Sequence, residues 1–332
     1  MSKVGDANTC LALRPHEQSA GGEATSRPRV NQVLPQLDGV LALDKPSGPT
    51  SGRCLAALKR LGQRKIGHAG TLDPLAGGVL VVLLGQATKI SGCLLEDSKD
   101  GGKVYAGTVR LGQISATWDC QGDILEERPW DHVRPEDAAR EVAAWCQLTE
   151  QDVPPFSAAK HQGQPLYKLA RKGLPTPAKV KRIQISRAEA LEVRLPWIRF
   201  RVACSSGTYV RSLAHSLGMR LGCGAVLTEL TREYSHPFGL DAACPLADIL
   251  ADPGLLVERL RPLGDALPHW PCVTLSAAEA RAVRQGQPIP CGQQAAERAL
   301  LLERGQALAL ARRTMTAKGF CWTIQRGLWN QP

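Results

Sequence analysis

The richest stretch of chemistry in the chain is Gly67-His68-Ala69-Gly70-Thr71-Leu72-Asp73-Pro74-Leu75-Ala76-Gly77-Gly78. Its glycines let a backbone approach a ligand closely and adopt dihedrals that other residues avoid. Pro74 pushes Asp73 towards an extended conformation. The carboxylate is therefore fixed on a rigid rim just ahead of an apolar run, Val79 to Leu84, which reads as a buried strand. From these residues alone two readings stand: a carboxylate facing a ligand, or a turn aspartate bonded only to its own backbone. An aspartyl-nucleophile phosphohydrolase would need further acids placed for magnesium, and no DxD cluster accompanies Asp73. No CxxC knuckle exists either, because no two of the 11 cysteines lie closer than nineteen residues. Neither a metal nor a cofactor is expected. The scattered, odd-numbered cysteines fit reduced thiols in a cytoplasmic protein.

The elements that must hold this loop can be read in order. Residues 1–36 lack periodicity and read as a disordered tail. Order is expected to begin with a strand at Gly39 to Asp44. Thr50 or Ser51 then caps a helix with Leu55, Leu58 and Leu61 on one face. Lys65 to Pro74 reads as loop, Ala87 to Leu95 as helix and Val104 to Leu111 as an alternating strand. Pro135-Glu136-Asp137 opens a helix running to about Cys146. A short helix is expected near Leu166 to Lys172, strands at 181–194 and 197–204, a helix from Tyr209 to Leu221, and a strand from Ala225 to Leu230. Pro262, Pro268 and Pro271 mark a linker. Beyond it Ser276-Ala277-Ala278-Glu279 is a capping-box pattern, followed by short strands at 299–302, 307–312 and 320–325. Helices and strands interleave without a clean βαβ repeat, so a mixed α/β fold of the α+β kind is expected rather than a doubly wound one.

Charge points to the partner. Lys and Arg number 41 against 31 acids, a net +10. Residues 156–187 carry Lys160, Lys168, Arg171, Lys172, Lys179, Lys181, Arg182 and Arg187 and no acid, and His269 to Pro332 holds eight basic residues against three acidic. These two segments hold more than the whole excess. Such clustering is an electrostatic footprint for a polyanion. No run of about 18 apolar residues suggests a membrane span.

The Asp73 stretch resembles the signature of the TruB family of tRNA pseudouridine synthases, close to GHxGTLDPxAxGxL. Five further blocks resemble that family in its own order: Gly39 to Lys45 with Pro46-Ser47-Gly48-Pro49-Thr50-Ser51, Lys103-Val104-Tyr105, Thr117-Trp118-Asp119-Cys120-Gln121-Gly122, Val153 to Lys160 with Pro165 to Arg171, and Cys204 to Leu213. Together they span roughly 39 to 240. The resemblance implies a pseudouridine synthase fold with a central mixed, largely antiparallel sheet in a catalytic domain over 37–255. It also implies a basic insert at about 153–182 that clamps RNA, and a small β-rich PUA-like RNA-binding domain over 268–328.

It further implies that Asp73 is the nucleophile, attacking either the base or the ribose of a flipped uridine. Arg171 would pair with Asp73, an arrangement that favours an ionised carboxylate; read alone it is a phosphate contact in a basic patch. Tyr105 would stack on the uracil, or be a core tyrosine. His68 would fill or support the gap left by the flipped base, or bond locally. Lys45 would steady the catalytic loop or meet the RNA backbone, or be an exposed lysine. Asp119 is a turn support or a catalytic group, and Tyr167 and Arg211 make packing or backbone contacts. Ala69 and Gly77 stand where threonines are common, and Ala116 replaces the first aspartate of a TDTxD run. The implied substrate is uridine 55 in the TΨC arm of tRNA, handled by a monomer without membrane or obligate protein partner. The rival reading is an RNA-folding chaperone that binds tRNA without chemistry.

Overall fold

The computed structural model describes residues 33–97, 102–317 and 319–329. The expectation for residues 1–32 lies outside them. Residues 33–36, read as part of the tail, and Leu37 beyond them are held in place: the Leu34 amide bonds the Leu61 carbonyl at 2.9 Å, and the Gln63 side chain bonds both the Leu37 amide and the Pro35 carbonyl. A lack of periodicity hid a segment whose backbone groups find partners just past the end of the following helix.

The N-terminal part is built on one nine-stranded sheet. Its strands are β1 (Gly39–Lys45), β2 (Ile66–Ala69), β3 (Ala76–Leu84), β4 (Lys103–Leu111), β5 (Ile185–Arg194), β6 (Trp197–Cys204), β7 (Ala225–Ser235), β8 (Phe238–Gly239) and β9 (Cys244–Pro245). The order is β5-β6-β4-β7-β3-β1-β9, with β8 on β7 and β2 on β3. Only β7–β3 and β1–β9 run parallel, so the sheet is mixed and largely antiparallel, as expected. β3 is apolar throughout because both faces are covered, its residues Val79 to Leu84 being fully buried. β4 alternates buried and half-buried residues along its whole length, matching its period-two sequence.

The helices of this part are α1 (Ser51–Arg60), α2 (Ser91–Asp97), α3 (Pro135–Ala143), α4 (Leu166–Ala170), α5 (Val210–Arg220), α6 (Leu246–Ala251) and α7 (Gly254–Glu258); α1, α2, α3, α5 and α6 pack on the sheet, and α4 sits in the basic insert. The Thr50 hydroxyl caps α1 by accepting from the Arg53 amide. Three readings change. The supposed loop from Lys65 begins with β2, whose residues pair with Leu84 to Val81 along the part of β3 beyond its pairing with β7. The helix expected over 87–95 is a 3-10 turn, Gly85–Ile90, leading into α2. The strand expected over 181–194 is broken: Val180–Arg182 pairs with Glu150–Asp152, and β5 starts afresh at Ile185.

The C-terminal module has α8 (Ala277–Arg284) and the strands β10 (Cys272–Thr274), β11 (Ile289–Pro290), β12 (Arg298–Glu303), β13 (Gln306–Thr316) and β14 (Gly319–Gly327), ordered β10-β12-β13-β14-β11. This is the small β-rich, PUA-like module expected, and Ser276 and Glu279 form the full capping box. Val40, Val79, Leu83 and Ile90 of the N-terminal part share one buried cluster with Leu300, Leu310 and Leu328. The proline-marked linker is not slack, since Leu263, Ala266 and Leu267 lie in that same cluster. No helix among the described residues is long and apolar enough to cross a membrane.

Candidate active site

Asp73 follows β2 and precedes β3. Its side chain is 40% exposed, whereas that of Arg211, its partner, is 5% exposed. The Arg211 Nε donates to Asp73 Oδ2 at 2.9 Å. Each of the other two guanidinium nitrogens also donates: Nη1 to the Thr117 carbonyl and Nη2 to the Phe156 carbonyl, both at 2.9 Å. Asp119 Oδ2 stands 3.7 Å from Nε. One buried cation therefore joins the Asp73 loop, the Thr117–Asp119 turn and the start of the basic insert.

This corrects the expectation for two residues. The guanidinium on Asp73 belongs to Arg211, and not to Arg171. Arg211 lies in the first turn of α5 and is buried. Arg171 follows α4 on an exposed segment, with its guanidinium 5.5 Å from the centre of the Tyr167 ring. Both Arg171 and Tyr167 line the wide cavity in front of Asp73.

The remaining candidates gather around the same carboxylate. Lys45 is fully buried, and its Nζ donates to the Ala76 carbonyl at 2.6 Å and to that of Pro46 at 2.9 Å. It is not an exposed lysine, and of its other two readings the geometry fits loop support. Asp119 Oδ1 accepts from the Thr117 hydroxyl at 2.5 Å and from the Gln121 amide at 3.1 Å, so it ties the turn as well as facing Arg211. His68 lies on β2 opposite Val82, with Nδ1 buried. Burial, with Arg232 nearby, pushes its pKa below the usual histidine value, leaving a neutral ring at neutral pH.

Two cavities meet at Asp73. The narrower, about 280 Å³, is lined by Tyr105, Lys103, Lys181, Tyr209 and Leu230. The wider, about 600 Å³, is lined by His68, Asp119, Phe156, Tyr167, Arg171 and Arg211. Tyr105 is 6% exposed on β4 and borders the narrow cavity. Burial drives its hydroxyl pKa up, so the phenol keeps its proton. Lys103 is held down to about 8 by burial and by the neighbouring Arg232 charge.

Three residues of this site carried no role in the sequence reading. Arg232 is fully buried beside Tyr105, and donates to the Val79 carbonyl at 2.6 Å and the Gly70 carbonyl at 3.0 Å. Its signal was a cation at the end of an apolar strand read as stopping at Leu230. Tyr209 lay inside a recognised block, and Gln151 fixes its backbone through two hydrogen bonds. Lys103 stands in the Lys103-Val104-Tyr105 block that resembles the family, with no role of its own.

Residues 59–210 match the model of the TruB family pseudouridylate synthase N-terminal domain. The chain is 58% identical over 306 residues to a tRNA pseudouridine synthase B of Oleidesulfovibrio alaskensis, covering 90% of this chain and 98% of that one. It is 56% identical over 309 residues to one of Nitratidesulfovibrio vulgaris, covering 90% and 99%. Among solved structures it resembles a chain of an H/ACA ribonucleoprotein bound to a substrate RNA containing 2'-deoxyuridine, with TM-score 0.60, 25% identity and coverage of 88% and 85%. It also resembles a chain of a Cbf5-Nop10-Gar1 complex, with TM-score 0.62, 26% identity and the same coverage. With its six motifs folded around one exposed carboxylate and relatives this similar along nearly their whole length, the chain belongs to the TruB family of pseudouridylate synthases.

Proposed function

We propose that this chain isomerises uridine to pseudouridine in tRNA, that its target is uridine 55 of the TΨC arm, and that Asp73 is the nucleophile. The observation that carries the reading is the Asp73 carboxylate, exposed where two cavities meet and braced by a buried arginine. The narrow cavity suits one nucleoside rather than a stem, so the uridine must leave its stack to enter. Tyr105 offers an aromatic edge or face to the base, and Lys103 and Lys181 offer cations to its phosphate. The wider, partly basic cavity would take the flanking RNA.

In the reaction the bond from ribose C1' to base N1 breaks and a bond from C1' to C5 forms. N1 gains a proton and C5 loses one, so no net oxidation occurs. A covalent adduct with Asp73, through base or ribose, divides this exchange into two smaller steps and holds the fragments while the base turns. Arg211 keeps the carboxylate aimed, and Lys45 holds the Ala76 carbonyl that follows it. We read the enzyme as a cytoplasmic monomer that needs no protein partner.

The test is release of tritium from 5-tritiated uridine in tRNA. Asp73→Asn should release none, while its affinity for tRNA stays within roughly threefold of wild type, since the change removes no phosphate contact. Residual turnover by Asp73→Asn would end the assignment of the nucleophile. A wild-type protein that binds and refolds tRNA without releasing tritium would instead be the chaperone.

A further inference from the structure

Behind the site two rings stack: Trp118 and His215, with centroids 4.4 Å apart and planes 1° from parallel. They belong to the two elements that meet at Arg211. α5 carries both Arg211 and His215, four residues apart and hence on one face. The turn carries Thr117 and Asp119 on either side of Trp118. The helix thus grips the turn twice, once by guanidinium to the Thr117 carbonyl and once by imidazole to indole. Neither ring lines either cavity at Asp73.

The turn has a reason to need the second grip. Trp118 has φ 64°, and the only other non-glycine residues at positive φ among the described residues are Gln162 and Arg304. Bulky side chains disfavour that region, and it persists only where the surroundings over-determine it. The backbone contributes a 3.3 Å bond from the Trp118 amide to the Ser115 carbonyl and a 3.2 Å bond from the Leu227 amide to the Trp118 carbonyl. Burial pushes the His215 pKa down, against Asp152, so a neutral imidazole lies on the indole at neutral pH.

We propose that Trp118 and His215 are positioning residues for the isomerisation, their stack locking the turn so that the Thr117 carbonyl and the Asp119 carboxylate hold Arg211 against Asp73. This rests on Asp73 being the nucleophile. Trp118→Gly removes the ring while keeping the left-handed backbone easy to adopt. Trp118→Phe keeps a ring, and His215→Ala removes the other partner.

Single-turnover rates at saturating tRNA are compared with tRNA dissociation constants. Trp118→Gly and His215→Ala should each slow the reaction about tenfold, because a small misplacement of a catalytic group costs rate rather than binding. Dissociation constants should stay within about twofold. The double variant should be within about twofold of the slower single one, since both changes break the same contact. Trp118→Phe should recover to within about threefold of wild type. Single variants at wild-type rate, losses that multiply in the double variant, no recovery with Phe, or weakened tRNA binding accompanying the slower rate would each overturn the proposal. If Asp73→Asn is dead while Trp118→Gly is fully active, the stack alone is misread. If Asp73→Asn is active, the reading beneath it fails.

Discussion

At the scale of single residues, Arg211 does more than neutralise a charge. Its three bonds join segments far apart in sequence, and they are made by a side chain that is almost wholly buried. Arg211→Met should lower the single-turnover rate on the order of 10²-fold or more, because removing one member of a buried pair strands the other polar groups. Arg171→Ala should instead weaken tRNA binding with the saturated rate unchanged, since Arg171 is exposed at the cavity mouth. Equal effects of the two on rate would undo this division. Lys103 offers a pH test. Its folded pKa of about 8 lies below the ordinary 10.5, so between these values the unfolded chain holds the extra proton and stability rises with pH. Lys103→Met should therefore be more stable than wild type at pH 7, on the order of 1–3 kcal/mol, with the gap closing between pH 8 and 10.5. Urea midpoints at several pH values measure it. Asp73 and Tyr105 stood out through the family resemblance, since the glycine-dense and alternating patterns alone left each a second reading as turn support or core tyrosine; the structure sets both on one cavity. Which arginine met Asp73 was not legible, because Arg171 and Arg211 are told apart only by where α4 and α5 point.

At the scale of elements, the strand after Asp73 depends on an unusual contact. Gly78 has φ +91°, and a Cβ there would lie 2.3 Å from the Arg232 carbonyl on the parallel neighbour β7. Gly78→Ala should cost about 2–4 kcal/mol from the backbone conformation and the clash together. A chemical denaturation midpoint at wild-type level would contradict it. Here the sequence reading was uneven for a physical reason. β3, β4, α1 and α5 announce themselves by apolar runs, alternation or a cap. β2 does not, because the glycine-rich residues that give the loop its freedom also mask four residues that pair with β3. The parallel contact of β7 with β3 joins residues about 150 apart, and no local pattern encodes it.

For the whole molecule, charge placement was legible and its attachment was not. Lys168, Arg171 and Lys172 are exposed in the basic insert. Replacing all three with Ala should weaken tRNA binding. It should also shrink the slope of log affinity against log salt, by about one for each phosphate that no longer meets a cation. An unchanged slope would place the RNA elsewhere. Pro262, Pro268 and Pro271 read as a linker, yet the segment they bound is packed into the cluster shared by the N-terminal part and the C-terminal module. One cooperative thermal transition is therefore expected by calorimetry, and two separate peaks would mean the two parts melt independently.

Lys89, which follows β3, donates its Nζ to the Gly327 carbonyl at 2.6 Å and to the Trp329 carbonyl at 3.3 Å. Together with Leu328 in the shared cluster, this bolts the far end of the chain to the strand that leaves Asp73. The C-terminal module is thereby held at a fixed distance from Asp73 rather than on a free tether. Any RNA that touched both would have to bring its own fold to that spacing, and a longer or floppier arm would seat at one end and miss at the other.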